Sequence, residues 1–195
     1  MTYNLKDVFY LGATHEYASS VYNAAAKEGN IPMDISAFVN SVGSKRQRGQ
    51  GLAIYKVHAQ VAGDASGSPP AAADAGQGTY GLSVKPYATS GDDSGAIEVG
   101  DLTPESDLLI WGSFLTQPGS LAPGQGGGGN SGNDPFVEPS TEVPYVAVRD
   151  TIYQLFRTSV GLSEDDSVYI SYRLECAMVT LDTATLNQLL RTQTA

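Results

Sequence analysis

One long alternating run places the strongest constraint on what this chain can fold into. In SVYISYRLECAMVTLD, residues 167–182, apolar side chains occupy every second position and more polar side chains lie between them. A period of two is that of a β-strand with one face against a core. A strand of about 14 residues is much longer than the usual five or six residues, and it spans roughly 45 Å. We expect one face to be buried, namely Val168, Ile170, Tyr172, Leu174, Cys176 and Met178. The opposite face carries Tyr169, Ser171, Arg173, Glu175 and Ala177.

Shorter segments with strand character precede this run. They are GLAIYKVHAQVAG (51–63), TYGLSVKPYAT (79–89), GAIEVGDL (95–102), SDLLIWGSFLTQ (106–117) and VPYVAV (143–148), while 150–159 fits a helix or a strand. The first places Tyr55 and Val57 on one side and His58 on the polar side. The chain shows neither βαβ alternation nor an internal repeat. Strands separated by loops rich in Gly, Pro, Ser and Asp predict a mainly-β fold, a single jelly-roll β-sandwich.

The N-terminal quarter has a different pattern, which favours helices. Residues 14–28 place apolar side chains at spacings of three and four, with Thr14 as a cap and Gly29 as a stop. Residues 34–42 repeat this arrangement, and 182–193 resemble a short capped helix. We therefore predict a partly helical segment over 1–50, packed on the sandwich or on a neighbour, and a jelly-roll domain over 51–195, within one structural domain.

A glycine-rich stretch, LAPGQGGGGNSGNDP at 121–135, raises the question of a phosphate site. A phosphate loop needs a helix N-terminus behind it and usually Lys followed by Ser or Thr. Neither follows here, and the nearby charge is Asp134, which repels phosphate. The stretch is better explained as a long surface loop between two strands of the sandwich.

The charge balance is strongly acidic. The chain has 21 acidic against 11 basic residues, a net charge of -10, and only five of the basic residues are lysines. Such a surface stays hydrated when salt screens charge, as in proteins of salt-loving organisms. Non-specific binding of nucleic acid is disfavoured, because it depends on clustered positive charge.

The sequence predicts no catalytic, metal-binding or cofactor-binding residues. His15, His58 and Cys176 lack the spacing of a zinc site. Ser94 in GDDSGA lies too close to His58 in sequence for the two-barrel serine proteases, and no GxSxG elbow is present. The acidic turns at 92–93 and 164–166 leave a loose calcium site open, and paired carboxylates of a glycosidase stay open as well.

A basic cluster stands out in this acidic chain. Lys45, Arg46 and Arg48 lie within SKRQRGQ, between the segment with helical pattern and the first strand of the 51–195 domain. They are either part of a solvated linker or an interface. As an interface they would dock onto an acidic neighbour or onto anionic lipid headgroups.

The chain resembles a viral capsid protein in its size, acidity, strand pattern and long Gly/Pro-rich loops. More narrowly, it resembles the smaller major capsid proteins of halophilic, membrane-containing icosahedral viruses of archaea, the sphaerolipovirus group. The resemblance implies an upright jelly roll in a virion shell, and pseudo-hexameric capsomers built with copies of itself and a second, related capsid protein. It also implies an internal membrane, whose lipid or proteins are further partners, and no specific nucleic acid, cofactor or catalysis.

Two other classes stay open. A carbohydrate-binding or adhesin-like sandwich is the main alternative, because the same fold hosts lectins. It would need aromatic side chains exposed on one face or loop cluster, and Trp111, inside an apolar strand, is a poor candidate. An enzyme is the third class, since the fold alone does not decide function.

Salt dependence tests the meaning of the acidity. If the negative charge is an adaptation to salt, self-repulsion loosens the fold or its assembly once the screening length exceeds a few ångströms. We expect assembly to be lost below roughly molar salt. Light scattering and far-UV circular dichroism during stepwise dilution measure assembly and fold separately. Intact assemblies in dilute buffer would contradict the prediction.

Overall fold

Strands dominate the part of the chain that the computed structural model describes, which is residues 6–18, 28–40, 49–62, 78–84, 104, 107–116, 132–158 and 167–193. Over these residues the chain forms nine strands and one helix. The elements are β1 (Lys6–Ala18), β2 (Glu28–Asp34), β3 (Gly49–Ala62), β4 (Gly78–Ser83), β5 (Leu109–Thr116), β6 (Gly132–Val137), β7 (Tyr145–Ala147), β8 (Thr151–Thr158), β9 (Ser167–Leu181) and α1 (Thr183–Thr192). The prediction of a mainly-β fold is confirmed.

The strands form two antiparallel sheets that enclose a common core, a sandwich-like arrangement. Sheet A has the order β1-β9-β3-β7, and sheet B has the order β2-β8-β4-β5-β6. The pairing is nested along the chain. The first strand pairs with the last, β2 with β8, β3 with β7, and β4 with β5. Strand β6 extends sheet B beyond β5.

The strand directions define two ends of the sandwich. In sheet A, β1 and β3 run against β9 and β7, and in sheet B, β2, β4 and β6 run against β5 and β8. Phe9, early in β1, stacks on Phe38, just after β2, with ring centroids 5.2 Å apart. The Tyr145 hydroxyl donates to the carbonyl of Asp107, just before β5, at 3.1 Å. These contacts lie at the end where β9 gives way to α1, which we call the α1 end.

The core between the sheets confirms the predicted face of β9. Ile170, Tyr172, Leu174 and Cys176 are buried, and Met178 is half-buried, while the Val168 side chain lies outside the description. The edge of the Trp111 ring points at Tyr172, with centroids 5.8 Å apart. The buried core cluster comprises Ile35, Leu52, Ile54, Val57, Tyr80, Leu82, Val84, Ile110, Trp111, Ala147, Ile152, Phe156, Ile170, Tyr172, Leu174 and Cys176.

The other face of β9 is also covered near the α1 end, which the alternation did not predict. Helix α1 packs there, and its Leu186 closes a second cluster with Ala53, Val146, Val148, Val179 and Leu181. Ala177, expected on the polar face, is fully buried. A Cβ at Gly49 would collide with Leu186, so the helix approaches the sheet where β3 has no side chain. The predicted cap is confirmed, because Asp182 accepts a hydrogen bond from the Thr185 amide at 2.8 Å.

Gln193, at the end of α1, completes the edge of sheet A. Its buried amide accepts from the Val148 amide at 3.0 Å and donates to the Val146 carbonyl at 2.7 Å. The Arg149 side chain donates to the Gln193 carbonyl at 3.1 Å. A side-chain amide thus supplies what a further strand would supply to β7. This blunts an edge that would otherwise expose unpaired backbone groups.

The helix predicted over 14–28 is wrong where it can be compared. Residues 14–18 belong to β1, Glu28 begins β2, and 19–27 lie outside the described residues. Strand β1 pairs with β9 continuously from Phe9 to Ala18, so its backbone bonds are made across the sheet rather than within a turn. Tertiary pairing has overridden the local helical pattern.

The helix predicted over 34–42 is also absent from its described part, residues 34–40. Asp34 ends β2 and accepts a hydrogen bond from the Ser36 amide at 2.8 Å, which makes an Asx turn with the same chemistry as a helix cap. This hydrogen bond lowers the pKa of the Asp34 carboxyl. The division of the chain at residue 50 stays a prediction, although β1 and β2 are members of the two sheets.

Two further expectations are corrected by details of the strands. A bulge between Ile54 and Lys56 reverses the alternation in β3, so that Ile54 and Val57 both enter the core and Tyr55 is the extra residue. The last four residues of the glycine-rich stretch, 132–135, lie in β6. Residues 121–131 and the strand predicted at 95–102 lie outside the described residues, whereas 151–158 is a strand and not a helix.

Truncation of Leu174 tests the central position of β9. Leu174 has no exposed surface, so Leu174→Ala removes buried methyl groups and leaves a cavity. We expect a loss of about 2–5 kcal/mol in the free energy of unfolding. Denaturant titration measures it, with Val143→Ala as the control because Val143 is 74% exposed. Similar stability for the two variants would contradict the assigned register.

Two buried glutamines are expected to respond in opposite ways to the same substitution. Gln193→Leu leaves the amide of Val148 and the carbonyl of Val146 without partners, at a cost of about 2–4 kcal/mol. Gln154 is fully buried, and among the described residues neither its Oε1 nor its Nε2 has a partner. Gln154→Leu therefore leaves stability within about 1 kcal/mol or raises it. Paired denaturant titrations measure both, and a large loss for Gln154→Leu would reveal a partner of that amide.

Candidate functional site

The predicted basic interface, Lys45, Arg46 and Arg48, lies outside the described residues. Its flanks are described. The Asn40 amide donates to the Gln50 carbonyl at 2.9 Å, and the Gln50 amide donates back at 3.1 Å. The chain therefore leaves and rejoins the sandwich at neighbouring points of the α1 end. The interface role of the three basic residues stays a prediction.

The two histidines lie in different surroundings. His15 is in β1 and not in a helix, and its partial burial lowers its pKa. His58 is on the polar side of β3, as predicted, and its Nε2 is 2.8 Å from Oε1 of Glu175. Nothing joins either ring to Cys176 as a ligand set. Among the described residues, no group of three or more His, Cys, Asp or Glu side chains is arranged to hold a metal ion.

Of the other candidate residues, some stay untested and one has a structural role. Ser94 and the acidic turns at 92–93 and 164–166 lie outside the described residues. Cys176 is a free, buried thiol whose pKa is raised to about 12, chiefly by burial and secondarily by the nearby Glu175. A thiol so rarely deprotonated is a poor nucleophile, and it serves as a core side chain.

The outer face of sheet A carries a depression that the sequence did not predict. Three strands align there in rows. Tyr10, Glu175 and Lys56 form the first row, Gly12, Arg173 and His58 the second, and Thr14, Ser171 and Gln60 the third. The depression has a volume of ≈ 460 Å³, and it is lined by the second and third rows, by Tyr10 of the first, and by the residues Leu11, Ala13, Ala59 and Tyr172 between them. No residue of sheet B lines it, so it opens to the outside of the sandwich.

Glycine 12 makes the depression possible. It faces Arg173 across β1 and β9, and it offers backbone where Tyr10 and Thr14 on either side offer side chains. A Cβ at this position would lie 3.3 Å from the carbonyl oxygen of Tyr172, tighter than an ordinary contact. The floor is therefore exposed backbone of β1 and β9.

Arg173 provides a positive charge at one wall. Its guanidinium carbon lies 3.9 Å above the centre of the Tyr10 ring, a cation–π contact. Glu175, two residues along the strand, accepts its hydrogen bond from His58 instead. Within the described ranges, no carboxylate lies within 4.0 Å of Arg173. On the opposite side, the hydroxyls of Thr14 and Ser171 share a hydrogen bond of 2.9 Å.

The residues of β9 and β3 on this surface could be predicted from the sequence, and those of β1 could not. The alternation of β9 and β3 predicted that Arg173, Ser171, His58 and Gln60 face outward. It missed the β1 side, because Thr14 and the residues after it were assigned to a helix. The available signal was YLGAT, residues 10–14, in which a glycine interrupts a strand-like run.

No protein-family model matches this chain, and no curated protein gives a significant match. No helix in the described ranges is long and apolar enough to cross a membrane.

The buried thiol supplies a test of the assigned core. We expect Cys176 in the folded protein to resist alkylation at mildly alkaline pH, because burial keeps it protonated and out of reach. In denaturant, the exposed Cys176 thiol should react rapidly with one equivalent of iodoacetamide, which intact mass measures. Rapid alkylation under conditions where circular dichroism shows a native fold would contradict the burial of Cys176.

Proposed function

We propose that this chain is a structural capsid protein whose sandwich is a jelly roll. The observation that carries the proposal is the nested strand pairing. A jelly roll has eight strands in two sheets and results from rolling up one long antiparallel hairpin. With β6 taken as an addition at the edge, the remaining eight strands pair first with last, second with seventh, third with sixth and fourth with fifth.

The two ends of the sandwich support an upright subunit in a shell. The basic segment joins β2 to β3 at the α1 end, and the glycine-rich segment joins β5 to β6 at the opposite end. In a shell whose strands stand across its thickness, these ends face opposite sides. A positive segment on the inner side would suit acidic neighbours or anionic lipid headgroups, and a glycine-rich segment would suit the outer side.

The proposed partners follow from the resemblance. They are copies of this chain and a second, related capsid protein, combined in pseudo-hexameric capsomers around an internal membrane. The net charge of -10 favours a particle that assembles in high salt, where repulsion between subunits is screened. The virion shell is then the site of action.

The carbohydrate-binding alternative loses one candidate residue. Trp111 is 3% exposed and packs on Tyr172, so it offers no aromatic platform to a sugar. The outer face of sheet A, where Tyr10 is exposed, is a described surface that favours this alternative.

Fractionation of the native source tests the capsid proposal. We expect peptides of this chain to sediment with megadalton particles in a high-salt density gradient and to share those fractions with lipid. Detergent should shift the particle density while the chain stays in the particles. Recovery of the chain solely as a small soluble species would contradict the proposal.

Reversal of the basic charges tests the predicted inner contact. We expect Arg46→Glu, and more strongly Arg46→Glu with Arg48→Glu, to reduce particle yield or lipid retention while circular dichroism stays unchanged. Lys27→Glu is the control, because it reverses one charge in the connection between β1 and β2 at the opposite end. Normal yield and lipid content in the doubly reversed variant would assign the segment to a solvated linker.

A further inference from the structure

We propose that the depression on the outer face of sheet A is a binding site for a carboxylate-bearing sugar. The site goes beyond the proposed capsid role and does not depend on it, because it is formed within a single chain. It consists of the side chains of Arg173, Tyr10, His58, Gln60 and Ser171 around the floor at Gly12.

The shape of the depression suits a small ligand. The volume of ≈ 460 Å³ lies within the range of small-molecule sites, and the depression is open to solvent rather than enclosed. It exists because Gly12 stands between Tyr10 and Thr14. A larger residue there would fill the space in front of Arg173. The lining combines apolar surface with hydrogen-bonding groups, which suits a sugar ring because such a ring presents both C–H and hydroxyl groups.

Arg173 supplies a positive charge to the depression. Its guanidinium carbon lies over the Tyr10 ring. A guanidinium carries five N–H donors, and their fork matches a carboxylate in two-pronged geometry. The described part of the chain supplies no carboxylate partner for them. A ligand carboxylate is the group that this donor set recognises.

Neutral hydrogen-bonding groups lie beside Arg173. Ser171 and Thr14 have hydroxyls that both donate and accept, and Gln60 carries an amide with both capacities. Sugar hydroxyls need donors and acceptors side by side. Glu175 stands in the row beside Arg173, so a doubly charged phosphate would meet repulsion that a singly charged carboxylate meets only weakly. The combination favours an acidic sugar.

Titration with glucuronate tests the site in the full-length chain. Amide shifts in ¹⁵N-resolved NMR should change at Gly12, His58 and Arg173 and should give a dissociation constant. Glucose, the neutral counterpart with the same ring hydroxyls, should bind at least about tenfold more weakly. Acetate, the bare carboxylate, should also bind at least about tenfold more weakly, because it lacks the hydroxyls.

Matched variants separate the site from general charge effects. Arg173→Gln should weaken glucuronate binding at least about tenfold and should bring its affinity close to that of glucose. Lys56→Gln is the control, since it removes the same charge from the same sheet face but lies outside the lining. Equal binding by the wild type and Arg173→Gln, equal effects of the two variants, equal affinity for acetate, or no shift at Gly12 would each overturn the proposal.

Discussion

The structure depends on the pairing of β9 along both of its edges. This strand of 15 residues lies between β1 and β3, so the last strand joins the two longest strands of the N-terminal half. Burial of a strand requires that its backbone donors and acceptors be paired, and β9 pairs with β1 between Ser167 and Met178 and with β3 between Tyr169 and Leu181. Its inner face then fills the core, and its other face receives α1. Sheet B follows from this pairing. Strand β2 is the next strand after β1, β8 is the strand before β9, and β2 and β8 pair with each other.

The strands that could be predicted are those whose pattern is created locally. The alternation from Ile170 to Cys176 can be recognised in the sequence because one face is buried and the other is solvent-exposed. Asp182 indicates the start of α1 because a helix cap acts within one turn. The region 14–18 had no such signal. Its alanines and its spacing of apolar residues fit a helix, and the partner that makes it a strand, β9, lies about 150 residues away in sequence. Only the fold contains that information.

The same limit applies to the polar groups. Gln154 and Gln193 are the same residue type and both are buried, yet the Gln193 amide completes the edge of β7 and the Gln154 amide has no partner in the described part of the chain. No local pattern distinguishes them, because the difference lies in which backbone each amide reaches. The depression on sheet A has the same origin. Its second row joins Gly12, Arg173 and His58, three residues that are distant in the sequence and become neighbours only through register.

Nested pairing has a consequence for the order in which the molecule acquires its structure. Sheet A cannot form around its central strand until residues 167–181 are available, so most of its contacts must wait for the C-terminal part of the chain. Closing loops of that length before any pairing is gained makes such topologies slow to fold, typically over milliseconds to seconds. Until α1 docks and Gln193 reaches it, β7 presents an open edge to other chains. The period between synthesis and docking of α1 is therefore the time at which this protein is most exposed to misassembly.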